Sequence, residues 1–159
     1  MDLLPFFEWA AATSLGQAIS TSTWAFAVIE SVHLLALAVI GGAVLIVDLR
    51  LLGFGLKNQP IAQVARDTQP WLVGSLIMMI ATGILLFVSE PMKLYYSTSF
   101  AVKMTCLALV IVFTFTVRTK VIMADEGRVR PLWLKLVGLV SLALWFGVAA
   151  SGRWIGFSA

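Results

Sequence analysis

Two side chains able to do chemistry stand three residues apart in an apolar run, WAFAVIESVHLLALAVIGGAVLIVDLR (24–50): Glu30 and His33. His33 is the only histidine of the 159-residue chain. An acid and an imidazole at this spacing serve a short range of chemistries. Glu-x-x-His is the ligand motif of di-iron carboxylate bundles, but that site takes two such motifs and two further glutamates. One histidine excludes it within one chain. His33 can be an axial ligand of haem b. A bis-histidine haem then needs a second copy of the chain, whereas His–Met ligation has Met78, Met79 and Met104 on neighbouring helices. Copper(I) takes His with Met and Cys, and Met92, Met104 and Cys106 fall near the level of His33. Met104 and Cys106 are two apart, hence about 200° apart around a helix, and cannot both face one ion. Proton or ion passage would use Glu30 and His33 as relay groups. No matching polar group is read at mid-membrane depth on the other helices, so no complete path is visible.

The elements that position this pair follow from composition. Soluble domains carry about 25% charged residues; here 12% are charged and 60% are hydrophobic. Apolar runs of about 17–25 residues span a bilayer, and four are present: 24–47, 71–88, 100–117 with Lys103 near its start, and 132–150 with Lys135 near its start. Residues 3–19 are too short and polar to span and read as one helix lying at the outer interface, with Trp9 as anchor. Residues 61–69 read as a short amphipathic turn before Pro70. SEPMKLYYSTS (89–99) reads as an outer hairpin begun by Pro91, and ADEGRVRP (124–131) as an inner hairpin with Gly127 and Pro131. Short loops force neighbouring helices antiparallel. The expected fold is all-α: one integral membrane domain over 1–159, an up-down four-transmembrane-helix bundle with an N-terminal interfacial helix.

The net charge of +3 points to topology rather than nucleic acid. Arg50, Lys57, Arg66, Arg118, Lys120, Arg128, Arg130 and Lys135 lie toward one side, and Lys93, Lys103 and Arg153 toward the other. Eight against three places both basic loops in the cytoplasm and both termini outside. Trp24 and Trp154 fall at outer helix ends and Trp71 and Trp133 at inner ends, as an aromatic belt requires. A lone Cys106 allows no internal disulfide. The acidic start, Asp2 and Glu8, lacks the positive region of a signal peptide.

Depth and phase then assemble a site. Glu30 lies about 9 Å and His33 about 14 Å along the first helix from Trp24. Glu30, Leu37, Gly41, Val44 and Asp48 share one face, with His33 about 60° to one side. That stripe is expected to face the bundle interior, with Gly41 allowing close helix approach. Glu90, Lys103 and Arg153 reach the same outer level from the other helices, so the five ionisable groups are expected to cluster. At the inner end Asp48 and Arg50 read as an anchor with a local ion pair, Arg50 snorkelling to the headgroups.

The phrases IESVHLLALAVIGGAVLIVDLRLLG, ATGILLFVSEP, FAVKM and SLALWFGVAASGRWIGF, spread over about residues 24–157, resemble a family of small bacterial inner-membrane proteins of unknown function. HLLALAVIGG is also similar to the first-helix motif of CopD-type copper-resistance membrane proteins. That similarity implies a metal or redox role at the outer face, with His33 as its one transferable position. The family that the chain resembles often has a His after Phe near the inner end of the third helix; here the place holds Phe115-Thr116.

The function expected from these residues is a small inner-membrane redox or metal-binding module. Haem b or copper would sit at His33, with Met104 as a further metal ligand. Glu30 would orient the imidazole, and Lys103 and Arg153 would balance charge or hold an anionic group. A non-catalytic subunit or oligomeric scaffold is the alternative, with Gly147 and Ser151 as a small-residue helix contact. A proton-coupled transporter is the third reading. No phosphate loop, nucleophile elbow, zinc spacing or catalytic carboxylate pair is present, so the reading leans away from an enzyme. The expected partners are the lipid bilayer and either a second copy or a membrane complex.

Overall fold

A computed structural model describes residues 3–56, 58–124 and 129–157. Asp2, Lys57, Gly127 and Arg128, used above, lie outside the described residues. The described residues form helices and no strands: α1 (Leu4–Ala11), α2 (Ser14–Thr21), α3 (Ala25–Leu52), α4 (Ile61–Ser89), α5 (Pro91–Tyr95), α6 (Thr98–Phe113), a π turn (Thr114–Arg118), α7 (Thr119–Met123) and α8 (Pro131–Ile155). Four of these runs are long and apolar enough to cross a membrane: α3, α4, the continuous Thr98–Met123, and α8, at 28, 29, 26 and 25 residues. At about 1.5 Å per residue each exceeds the hydrocarbon core of about 30 Å.

The spans are longer than the apolar runs because helices continue through polar residues at their ends. α3 runs past Val47 to Leu52 and stops at Gly53, whose φ of +87° is left-handed. Gly53 N donates to Arg50 O at 3.1 Å and Phe54 N to Leu49 O at 2.8 Å, closing a Schellman cap. The expected turn at 61–69 is instead the first part of α4, with Pro70 inside the helix. Proline removes one backbone hydrogen bond there, near an end of the span rather than at its centre. The 89–99 hairpin contains the five-residue α5.

The N-terminal segment is two helices rather than one. They part at Thr13, whose side chain caps α2 by accepting from Gly16 N at 3.3 Å and donates to Ala10 O at 2.7 Å. Phe7, Ala10, Gly16 and Ile19 are buried. Phe7 packs edge-on against Phe87 (5.2 Å) and Tyr95 (5.1 Å), and Phe87 stacks on Phe100 at 6.0 Å. α1 thus covers one end of the bundle through aromatic contacts, and α2 packs on α4 beside it.

α3 packs along α4 on one side and α8 on the other, and α6 packs on α8. The inward face of α3 is His33, Ala36, Ile40, Ala43, Val44, Val47, Asp48 and Leu51. This corrects the expected stripe: Glu30 and Gly41 are exposed, and no neighbour lies within 4 Å of a Cβ built on Gly41. The close approach is made elsewhere. A Cβ on Gly16 would stand 2.1 Å from the carbonyl oxygen of Val88. Gly16→Ala is therefore expected to displace α2 and lower stability by about 1–3 kcal/mol. Gly74→Ala, which meets nothing within 4 Å, is expected to be neutral or stabilising by up to about 1 kcal/mol. Thermal unfolding of both variants in detergent checks the contrast.

Candidate functional site

The five ionisable groups expected to cluster do not come together. Glu90 pairs with Lys93 on its own turn at 3.4 Å. Arg153 is exposed and its guanidinium lies 4.6 Å from the ring centroid of Phe157. Glu30 is exposed and does not touch His33 through any hydrogen bond. Only His33 and Lys103 remain together, lining one cavity of about 170 Å³.

His33 is buried on α3 and held by α4. Its Nδ1 is 2.8 Å from Thr82 Oγ1, so Thr82 takes the orienting role expected of Glu30. Thr82 donates its own hydrogen back to Met78 O at 2.7 Å, as threonine commonly does inside a helix. The ring also lies against Gly83, where a Cβ would come within 3.4 Å of His33 Cε1. Thr82 stands where no matching polar group was expected, because a threonine within an apolar run reads as a neutral packing residue. Depth was the available signal: Thr82 is seven residues from the C-terminal end of α4 and His33 eight from the N-terminal end of α3.

The cavity lies between α4 and α6. Met79, Ile80, Gly83 and Ile84 form one wall and Phe100, Lys103, Met104 and Leu107 the other, with His33 behind. Its mouth is lateral: Ile80, Ile84 and Met104 are 45%, 58% and 46% exposed on helices of membrane-spanning length. Phe100 of the lining stacks on Phe87 at one end of the cavity. Lys103 lies along Gly152 of α8, its Nζ 3.7 Å from where a Cβ would stand, and makes no hydrogen bond or ion pair among the described residues. Cys106 faces Gly147 instead, Sγ 3.2 Å from a Cβ built there, so the thiol is on the α8 side of α6. Gly147, read as an intermolecular contact, is used within the bundle. No group of three His, Cys, Asp or Glu able to hold a metal ion occurs among the described residues.

A second polar site occupies the other half of the bundle, toward the C-terminal end of α3. Arg118, counted in the sequence as a loop charge, is buried and donates from Nε to Asp48 Oδ1 at 2.9 Å. Asp48 is 0% exposed, and its partner is on the third span rather than the adjacent Arg50. The π turn carries Arg118 inward, with Thr119 Oγ1 donating to Thr114 O at 2.7 Å across five residues. Ser141 of α8, fully buried, faces the pair. Asp48 Oδ2 and Arg118 Nη2 have no hydrogen-bond partner among the described residues. Asp48 lies four residues from the C-terminal end of α3 and Arg118 five from that of α7, so equal depth would have matched them. The two polar sites are separated by Ile40, Val44, Val110 and Val148, each at most 1% exposed. Arg118→Leu is expected to cost about 3–5 kcal/mol by leaving a buried carboxylate alone, and the double variant Asp48→Leu/Arg118→Leu to recover most of it. Unfolding of the two in the same detergent decides; equal losses would refute the pairing.

No curated protein and no solved structure matches the chain. The family of unknown function DUF6644 matches residues 6–158. With nearly the whole chain covered, this four-span helical protein belongs to the DUF6644 family.

Proposed function

We propose that this protein is a membrane-embedded binding module whose ligand enters sideways from lipid and places one ring against His33 and Lys103. The carrying observation is the cavity itself: about 170 Å³, apolar-walled, laterally open and backed by two polar side chains. An apolar cavity of about 150 Å³ takes a single benzene ring. Lipophilic ligands of this kind are held by apolar walls and oriented by a few polar groups.

This reading modifies the haem and copper expectations. A porphyrin is far larger than a space for one ring, and the chain has no second histidine. The residues do not fit haem b. Copper(I) has one observation in its favour, since His33, Met79 and Met104 line the same cavity and suit a soft ion. The Lys103 ammonium in that cavity opposes a cation. Copper at one equivalent by elemental analysis of the purified protein would favour the metal reading over the ring.

The orientation follows from charge. With Lys103 and Arg118 assigned to the bundle interior, seven basic residues (Arg50, Lys57, Arg66, Lys120, Arg128, Arg130, Lys135) stand against Lys93 and Arg153. This supports both termini outside a bacterial inner membrane, with α1 and α2 at the outer surface. An alkaline phosphatase fused to the C-terminus is expected to be active; an inactive fusion at full expression would reverse the topology.

The binding test uses 2-fluoro-4-hexylanisole, a single ring with an apolar tail, added to the full chain in lipid nanodiscs and followed by fluorine NMR. A saturable bound signal absent from empty nanodiscs is expected. Ile80→Trp, which adds bulk at the mouth, should remove it without changing the unfolding temperature. Binding that does not saturate, or that survives this substitution, would sink the proposal.

A further inference from the structure

The hydrogen-bond chain at His33 dictates what the ring must carry. The hydroxyl hydrogen of Thr82 has two carbonyls of its own helix in reach, Met78 O at 2.7 Å and Met79 O at 3.3 Å, and a threonine inside a helix bonds back in this way. Its Oγ1, 2.8 Å from His33 Nδ1, therefore acts as an acceptor. Nδ1 is the protonated nitrogen, and Nε2 of the neutral ring carries a lone pair. The other hydrogen-bond partner of the ring, the Met79 carbonyl, lies 3.3 Å from Thr82 Oγ1 and so on the Nδ1 side, which leaves Nε2 for a ligand. Lys103 offers the opposite chemistry, three N–H donors with a positive charge and no acceptor, and it too has no partner among the described residues.

One cavity thus presents an acceptor and a cationic donor. A ketone or ether oxygen satisfies only Lys103. An amine cation satisfies only His33 and is repelled by Lys103. A carboxylate satisfies Lys103 and opposes the lone pair of Nε2. A hydroxyl satisfies both, because it donates to the lone pair while its oxygen accepts from an ammonium. On one ring with an apolar tail, that group is a phenol.

We infer that the cavity binds the phenolic headgroup of a phenol or hydroquinone lipid, with the O–H donating to His33 Nε2 and Lys103 Nζ donating to the oxygen. This rests on the ring-site reading above. Full transfer of the proton breaks the O–H bond, forms Nε2–H and leaves a phenolate oxygen against the Lys103 ammonium. No electron moves, and the reverse transfer restores the starting state. His33 and Lys103 would therefore polarise the hydroxyl, its hydrogen held toward Nε2 and its oxygen toward the ammonium.

The test compares 2-fluoro-4-hexylphenol with its methyl ether, the anisole used above, in nanodiscs containing the full chain. The phenol is expected to bind at least about tenfold tighter, as one charge-assisted hydrogen bond would give. His33→Ala and Lys103→Met should each bring the two probes to within about twofold, and Lys103→Arg should keep the preference. Thr82→Val, which frees Nδ1 and allows the other tautomer, should reduce it. Anisole binding reports that each variant is folded. Because the chain has one histidine, its nitrogen NMR signals belong to His33, and the phenol but not the anisole should move the Nε2 signal. Equal affinities in the unsubstituted protein, with both probes saturable, would overturn this inference and leave the ring site standing. No saturable binding of either probe would overturn both. A preference that persists in His33→Ala and Lys103→Met would place recognition elsewhere.

Discussion

The bundle depends on α3, which brings two ionisable side chains into the interior and must find a partner for each on a different helix. Lipid is as apolar as leucine, so burial of apolar surface gives little reason for one helix face to turn inward over another. A polar side chain without a partner in hydrocarbon costs several kcal/mol, and that cost gives direction. His33 turns to Thr82 on α4, and Asp48 to Arg118 on the third span. The two anchors are fifteen residues apart, about 22 Å along the helix, so they hold opposite halves of α3. Gly138 lets α8 close against the second anchor, where a Cβ would meet the Asp48 carbonyl at 3.2 Å.

The cavity follows from how the remaining helices settle around α3. α6 lies against α8 and α4 against α3, which leaves the half of the bundle near the N-terminal end of α3 bridged between α4 and α6 by the Phe87–Phe100 stack. Inward of the cavity, a core of Ala36, Ile40, Val44, Met79, Val110, Trp145 and Val148 fills the interior. A transporter would need a polar route from His33 to Asp48, and this layer interrupts it. The arrangement suits a site open sideways to lipid better than one open to water on both sides.

The π turn links the two ends of the third span. An extra residue in the turn shifts the phase of everything beyond it. Arg118, the last residue of the turn, is buried, while Phe115, Val117 and Met123, at 47%, 44% and 45% exposed, face out.

Composition and apolar length alone determined that the chain is helical, that it has four spans, and roughly where each lies. These are local properties: a run of about 20 apolar residues needs no knowledge of its neighbours to prefer lipid. His33 and Lys103 were also legible as interior candidates, because a charged or titratable group deep in such a run demands an explanation by itself. Tertiary structure decided the partners. Glu30 and Arg153 were grouped with His33 by depth, but depth leaves the angle around the helix open, and both proved exposed. Thr82 and Arg118 were passed over, one as a neutral residue and one as a loop charge. Which hydrogen bond a buried group makes is a matter of two helices meeting at one height and one angle, and that meeting is absent from either helix read alone.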